Sequence, residues 1–196
     1  MIKAIFSDVD GVFFVQNPYW SERYAKDFNV PIELMRDFFL NDLMDMCLTG
    51  KADFKDSIKP FLTSWKWKGT ADELLNYWLN ELYIPHTKYI KSLKNSKLKG
   101  IKLYLATQND KYRTNKFINV VKQYTNIDGV VATYDIGYKK SKPEYYIESL
   151  LRVGLKSDEV VFIDNNEKAI SAAKSVGIST IFFTDEEQAI NELKAI

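Results

Sequence analysis

Short runs of consecutive apolar residues recur along the chain, each bounded by a glycine, an acid or a polar turn. Residues 3–7 (KAIFS), 101–106 (IKLYLA), 129–133 (GVVAT), 159–163 (EVVFI) and 178–183 (ISTIFF) are apolar on both faces. That is the pattern of strands buried in a parallel sheet. Helical spacing falls between and after them, at 86–98, 110–125, 143–153, 166–175 and 185–195, and Gly100 and Gly177 stand where two of these helices must end. The βα alternation predicts an open, doubly wound, Rossmann-like α/β sheet.

The first interval breaks the rhythm. About 90 residues separate the first run from the second, where a simple crossover needs a dozen or more. The intervening sequence looks wholly helical, with segments near 18–28, 31–47, 51–64 and 70–82, and with Pro18 and Pro31 at first helical turns. The expected organisation is a helical cap, residues 16–85, inserted into a core formed by 1–15 and 86–196. All four tryptophans (Trp20, Trp65, Trp67, Trp78) fall in the insertion, where an aromatic core explains them more economically than a cofactor.

Composition narrows the chemistry. Of 196 residues, 27 are Lys or Arg and 26 Asp or Glu, a net charge of +1, so no global field favours nucleic acid or an acidic membrane surface. No apolar stretch approaches the roughly 18 residues of a membrane span, and the N-terminus does not resemble a secretory signal. One cysteine, Cys47, permits no internal disulfide, which fits a reducing cytoplasm. One histidine, His86, has no nucleophile motif near it, against Ser-His-Asp or Cys-His catalysis.

In an open α/β sheet, ligands bind beyond the carboxyl ends of the strands. Four runs are followed there by Asp8 and Asp10, by Thr107, by a lysine cluster at 139–142, and by Asp164. Two acids, a hydroxyl, a cation and a third acid suit phosphoryl transfer. A carboxylate with a pKa of about 4 is ionised at neutral pH and attacks phosphorus without a base, so Asp8 is the candidate nucleophile. Asp10, two residues on and followed by Gly11, is placed to protonate the leaving oxygen and then activate water. Asp164 would complete an all-oxygen Mg²⁺ site with the other two acids. Thr107 and the amides after it would hold phosphate oxygens, and a lysine would neutralise the charge shared by Asp8 and phosphate.

These segments resemble the four motifs of the haloacid dehalogenase superfamily. Asp8-Val9-Asp10-Gly11-Val12 resembles its first motif, Leu105-Ala106-Thr107 its second and Phe162-Ile163-Asp164 its fourth. The likeness spans the chain, including the insertion that marks the C1-capped subclass. It implies that fold, an aspartyl-phosphate intermediate, Mg²⁺ as cofactor and a small phosphorylated metabolite as substrate. The third motif has two alignments. An ungapped match after Gly137 selects Lys140 and is preferred, whereas the Lys-Pro pair selects Lys142. Two departures stand out: Gln108 follows Thr107 where the family has Asn, and Asn165 follows Asp164 where paired acids are common. The expected phosphate ligands are therefore Thr107, Gln108, Lys140 and Lys142, and the expected metal ligands Asp8, Asp10, Asp164 and Asn165.

His86 is expected to be structural, at the return from cap to core, and Lys51 a surface residue. Tyr19 and Trp20 are expected either to close over substrate or to fill the cap core. Hydrolysis of a small phosphomonoester leads the functional expectations. A phosphomutase, a 2-haloacid dehalogenase (disfavoured by Asp10) and a non-catalytic phosphate- or partner-binding relative are the alternatives.

Overall fold

The computed structural model describes residues 1–15, 20–40 and 42–195. Five parallel strands, β1 (Ala4–Ser7), β2 (Lys102–Thr107), β3 (Gly129–Ala132), β4 (Val160–Asp164) and β5 (Ser179–Phe182), form one sheet in the order β3-β2-β1-β4-β5. Each expected apolar run is a strand: β1, β3 and β5 are shorter by one or two residues, and β2 and β4 keep their expected lengths one residue further on. β1 sits at the centre, with Ser7 in register with Leu105 of β2 and with Ile163 of β4. The chain leaves β1 toward β2 and later returns on the other side as β4, so the order reverses beside β1.

Successive strand residues point to opposite faces, and each face has its own core. Ile5, Leu103, Leu105, Val161, Ile163 and Ile181 pack on one side, against α6 (Thr87–Leu98), α7 (Lys111–Val121) and α11 (Glu186–Lys194). Phe6, Tyr104, Ala106, Val131 and Phe162 pack on the other, against α9 (Pro143–Val153) and α10 (Glu167–Ser175). Both faces are covered, which is why the strands lack polar alternation.

The insertion is helical but more broken than its spacing predicts. Its helices are α1 (Trp20–Phe28), α2 (Glu33–Leu40), α3 (Asp42–Leu48), α4 (Phe54–Ile58) and α5 (Ala71–Leu79). The segment expected as 31–47 is two helices, and the one expected as 51–64 shortens to α4 and a 3₁₀ turn, Lys59–Phe61. Pro60 lies in that turn and has no N–H to continue an α-helix. α5 begins at a reciprocal capping box between Thr70 and Glu73 and ends at Leu79, three residues before the expected 82. A one-turn helix, α8 (Thr133–Ile136), follows β3 where no helix was expected.

Trp20, Trp65 and Trp78 are buried in a separate insertion core with Tyr24, Phe38 and Phe54, and Trp67 packs on its edge. The tryptophans thus build the insertion core, as their place in the insertion suggests, and Tyr19 lies outside the described residues. The two connections to the sheet run side by side: Val15 N–H donates to Ile84 O and His86 N–H donates to Phe13 O. His86 stacks on Phe183 and places its Nδ1 2.9 Å from Val12 O, the structural role expected of it. No described helix is long and apolar enough to cross a membrane.

Candidate active site

Register puts the acids together. Asp8 follows Ser7 and Asp164 follows Ile163, and these are neighbours across the β1–β4 ladder. Asp8 N–H donates to Ile163 O at 2.9 Å, tying the first turn beyond β1 to β4. Both acids are buried, at 5% and 0% exposure. Between their carboxylates lies the Lys140 ammonium, 2.6 Å from Asp8 Oδ1 and 2.7 Å from Asp164 Oδ2, itself only 6% exposed. Lys140 arrives on the loop between α8 and α9, which begins at Gly137 in the left-handed region (φ 91°) and ends at Pro143 in the first turn of α9.

Lys142, the other alignment, is exposed and caps α9 without a side-chain bond. It is absent from the cavity lining, so the ungapped alignment is the one the geometry matches. Lys51 is likewise exposed and lines no cavity near the acids.

Asp164 Oδ1 accepts from Asn166 N–H at 2.7 Å, while the Asn166 side chain caps α10 through Lys168 and Ala169. The helix cap and the buried acid are thus different residues. Asp8, Asp10, Gln108, Lys140, Asp164 and Asn165 line one cavity of about 450 Å³.

Asp10 is positioned differently from the expectation. Its carboxylate is turned toward Arg113, which donates from Nη2 to Oδ1 at 2.9 Å, and toward Asn109, which donates from Nδ2 to Oδ2 at 2.9 Å. It therefore does not join Asp8 and Asp164 as a third metal carboxylate. Among the described residues no three or more His, Cys, Asp or Glu side chains gather closely enough to hold a metal. Asp8, Asp164 and the Asn165 amide still present only hard oxygen donors to one cavity. Mg²⁺ is commonly held by one or two carboxylates with water and substrate phosphate, so this donor set fits it.

Thr107 also departs from its expected role. Its hydroxyl is wholly buried and accepts from Asn109 Nδ2 at 2.7 Å, outside the cavity lining. Gln108 lines the cavity and accepts from Lys140 N–H through Oε1 at 3.0 Å, fixing the backbone that carries the ammonium. Arg113 and Glu81 were not among the residues expected at the site. Arg113 stands one turn into α7, whose start Asp110 fixes by accepting from the Tyr112 and Arg113 amides. Its second arm donates to Glu81 Oε1 at 2.5 Å, on the connection returning from the insertion.

Charge and burial compete throughout. Burial raises the Asp8 carboxyl, Lys140 opposes the rise and Asp164 adds to it, leaving Asp8 pushed up to about 8. Burial alone would lower the Lys140 ammonium, but Asp164 and Asp8 outweigh it and hold Lys140 above its usual value, fully charged. Arg113 is held charged against burial by Asp10 and Glu81, while burial raises Glu81.

The chain matches the haloacid dehalogenase-like hydrolase family over residues 21–183 and belongs to it. It is 26% identical over 194 residues to the glyceraldehyde 3-phosphate phosphatase of Methanocaldococcus jannaschii, covering 92% of this chain and 84% of that one. The phosphorylated carbohydrates phosphatase of Thermotoga maritima is 25% identical over 188 residues, with the same coverage of 92% and 84%. The sesquiterpene phosphatase of Aspergillus oryzae is 20% identical, over 99% of this chain and 96% of its own. Among solved structures, a HAD family enzyme of Bacteroides thetaiotaomicron, in complex with magnesium and inorganic phosphate, superposes with TM-score 0.74. It covers 92% of this chain and 93% of its own at 18% identity, a likeness of fold.

Proposed function

We propose that the chain hydrolyses a small phosphomonoester through an aspartyl-phosphate on Asp8, with Asp10 as general acid and base. The observation that carries the proposal is the buried Lys140 ammonium lodged between Asp8 and Asp164 at the carboxyl edge of the sheet. A carboxylate meets a dianionic ester only where positive charge offsets the repulsion, and Lys140 supplies part of that. Mg²⁺ would be held by Asp8, Asp164 and Asn165, and when bound would screen the remaining negative charge.

Asp8 attacks phosphorus in line, forming the Asp8 O–P bond as the bond to the leaving alcohol breaks. Asp10 gives its proton to the departing oxygen and becomes the carboxylate. It then takes a proton from water as that water attacks the phosphorus, releasing inorganic phosphate and restoring Asp8. Arg113 and Asn109 orient the Asp10 carboxylate for both steps. The helical insertion covers this edge and bounds the space for the alcohol. The phosphatase names of three relatives support this chemistry. An acid at position 10 speaks against a dehalogenase, which needs no proton donor there.

Release of inorganic phosphate from p-nitrophenyl phosphate, with Mg²⁺ or with chelator, tests the proposal. Turnover that requires Mg²⁺ and vanishes in Asp8→Asn is expected. Equal inertness of the wild type and Asp8→Asn would leave a phosphate-binding relative as the better reading.

A further inference from the structure

A second cavity, of about 270 Å³, opens on the other side of Asp10. It shares Asp10 and Gln108 with the polar cavity of Asp8 and Asp164, so the two meet at the proposed proton donor. A leaving oxygen within reach of Asp10 directs its alcohol into this second space. The walls come largely from the insertion and its connections: Phe14, Trp20, Phe39, Leu48 and Trp78, with Met44 beside them. Trp20 and Trp78 lie with ring centroids 5.6 Å apart.

The charged and amide groups on this cavity are engaged with one another, and the unpaired Trp20 and Trp78 indole N–H groups and Tyr83 hydroxyl are buried beneath its surface. Asp10 is bound by Arg113 and Asn109, Arg113 by Glu81, and Asn109 also by Thr107. A polyol phosphate would press several hydroxyls against aromatic and aliphatic walls, and each buried hydroxyl left without a partner weakens binding. An apolar group loses no hydrogen bonds there and leaves water behind.

Resting on the phosphatase reading, we infer that the substrate is the phosphate monoester of an apolar alcohol, aryl or short alkyl, whose hydrocarbon fills the cavity beside Asp10. An apolar cavity of about 150 Å³ accommodates a benzene ring, so this one accommodates a phenyl ring with a short chain or a medium alkyl group. This selects against carbohydrate phosphates, the substrates named for two of the relatives.

The test separates chemistry from specificity. Mg²⁺-dependent hydrolysis of acetyl phosphate, whose small leaving group barely enters the cavity, reports the nucleophilic machinery. kcat/KM is then measured along methyl, propyl and hexyl phosphate, and on phenyl phosphate, glycerol 3-phosphate and glucose 6-phosphate. The inference expects kcat/KM to climb by up to about fourfold per methylene until the cavity is full, with phenyl and hexyl phosphate at least about tenfold above both polyol esters. L48W, which fills the cavity from a half-buried position, should lower the hexyl-to-methyl ratio. A flat alkyl series, or polyol phosphates matching the apolar esters, overturns the inference while acetyl phosphate turnover still upholds the phosphatase reading. Failure on acetyl phosphate itself sinks that reading and the inference with it.

Discussion

Lys140 is the buried cation that separates Asp8 from Asp164. Taking it away leaves Asp8 and Asp164 facing each other in a buried pocket, and breaking such a pair typically costs about 3–5 kcal/mol. Lys140→Met should therefore lose activity by at least about a hundredfold and also unfold earlier. Lys142→Met, exposed at the start of α9, should stay within about twofold of the wild type in kcat/KM, and parity between the two variants would remove Lys140 from the mechanism. Arg113 permits a finer measurement because its fork spans Asp10 and Glu81. Arg113→Lys keeps the charge but loses the fork, and should lower kcat about tenfold or more while leaving KM little changed. A merely structural arginine would instead shift melting temperature and leave the basic limb of the pH–rate profile in place. The acids Asp8 and Asp164 were legible as strand-end residues, and Lys140 through its spacing from Gly137. Arg113 was not, because its partners come from residues 10 and 81, joined only in the fold. One signal was available: only four of the 27 basic residues are arginine, and arginine is the cation that can pair two acids through one fork.

Between elements, the insertion rests on the sheet domain through a few polar contacts and one close approach. Lys139 pairs with Asp45 of α3, while Asp53, the N-cap of α4, meets Lys111 at 2.5 Å and the Tyr112 hydroxyl at 3.0 Å. Gly50 lies in the turn between these helices with φ +70°, and a Cβ there would sit 1.9 Å from Tyr134 O of α8. Gly50→Ala must therefore push the insertion off α8 as well as strain the backbone. The variant should lose kcat/KM about tenfold or more on esters that use the cavity beside Asp10. It should lose far less on acetyl phosphate, and equal losses on both would place the turn's effect in global stability instead. In the Thr49-Gly50-Lys51 turn, Lys51 faces solvent as expected and the glycine makes the contact. Strands were legible because burial on both faces leaves unbroken apolar runs. Insertion helices were legible as helices but not in their limits, since Pro60 and the Thr70 cap act over single residues that spacing averages away.

For the molecule as a whole, the near-zero net charge hides a strongly acidic site. Asp8, Asp10, Glu81 and Asp164 form their ion pairs among the described residues with Lys140 and Arg113, so full ionisation of these six groups leaves two excess negative charges. Burial answers this in the metal-free protein by raising Asp8 to about 8, against about 4 for an unfolded chain. The folded state therefore holds a proton that the unfolded state has released between those values. Its bound protons exceed those of the unfolded chain, and stability must fall as pH rises through the interval, by at most about 1.4 kcal/mol per unit from this group. Above about pH 8 the slope from Asp8 disappears. Asp8→Asn removes the titrating group, so the difference in melting temperature between wild type and variant should move against the wild type from pH 5 to 8 and then level off. Mg²⁺ favours the ionised carboxylate, so it should flatten the wild-type slope and release up to one proton on binding near pH 6–7, a release visible to calorimetry in buffers of different ionisation enthalpy. A metal-free wild type whose melting profile parallels that of Asp8→Asn across this range would mean that Asp8 is ionised throughout, with Lys140 alone sufficient to hold its charge.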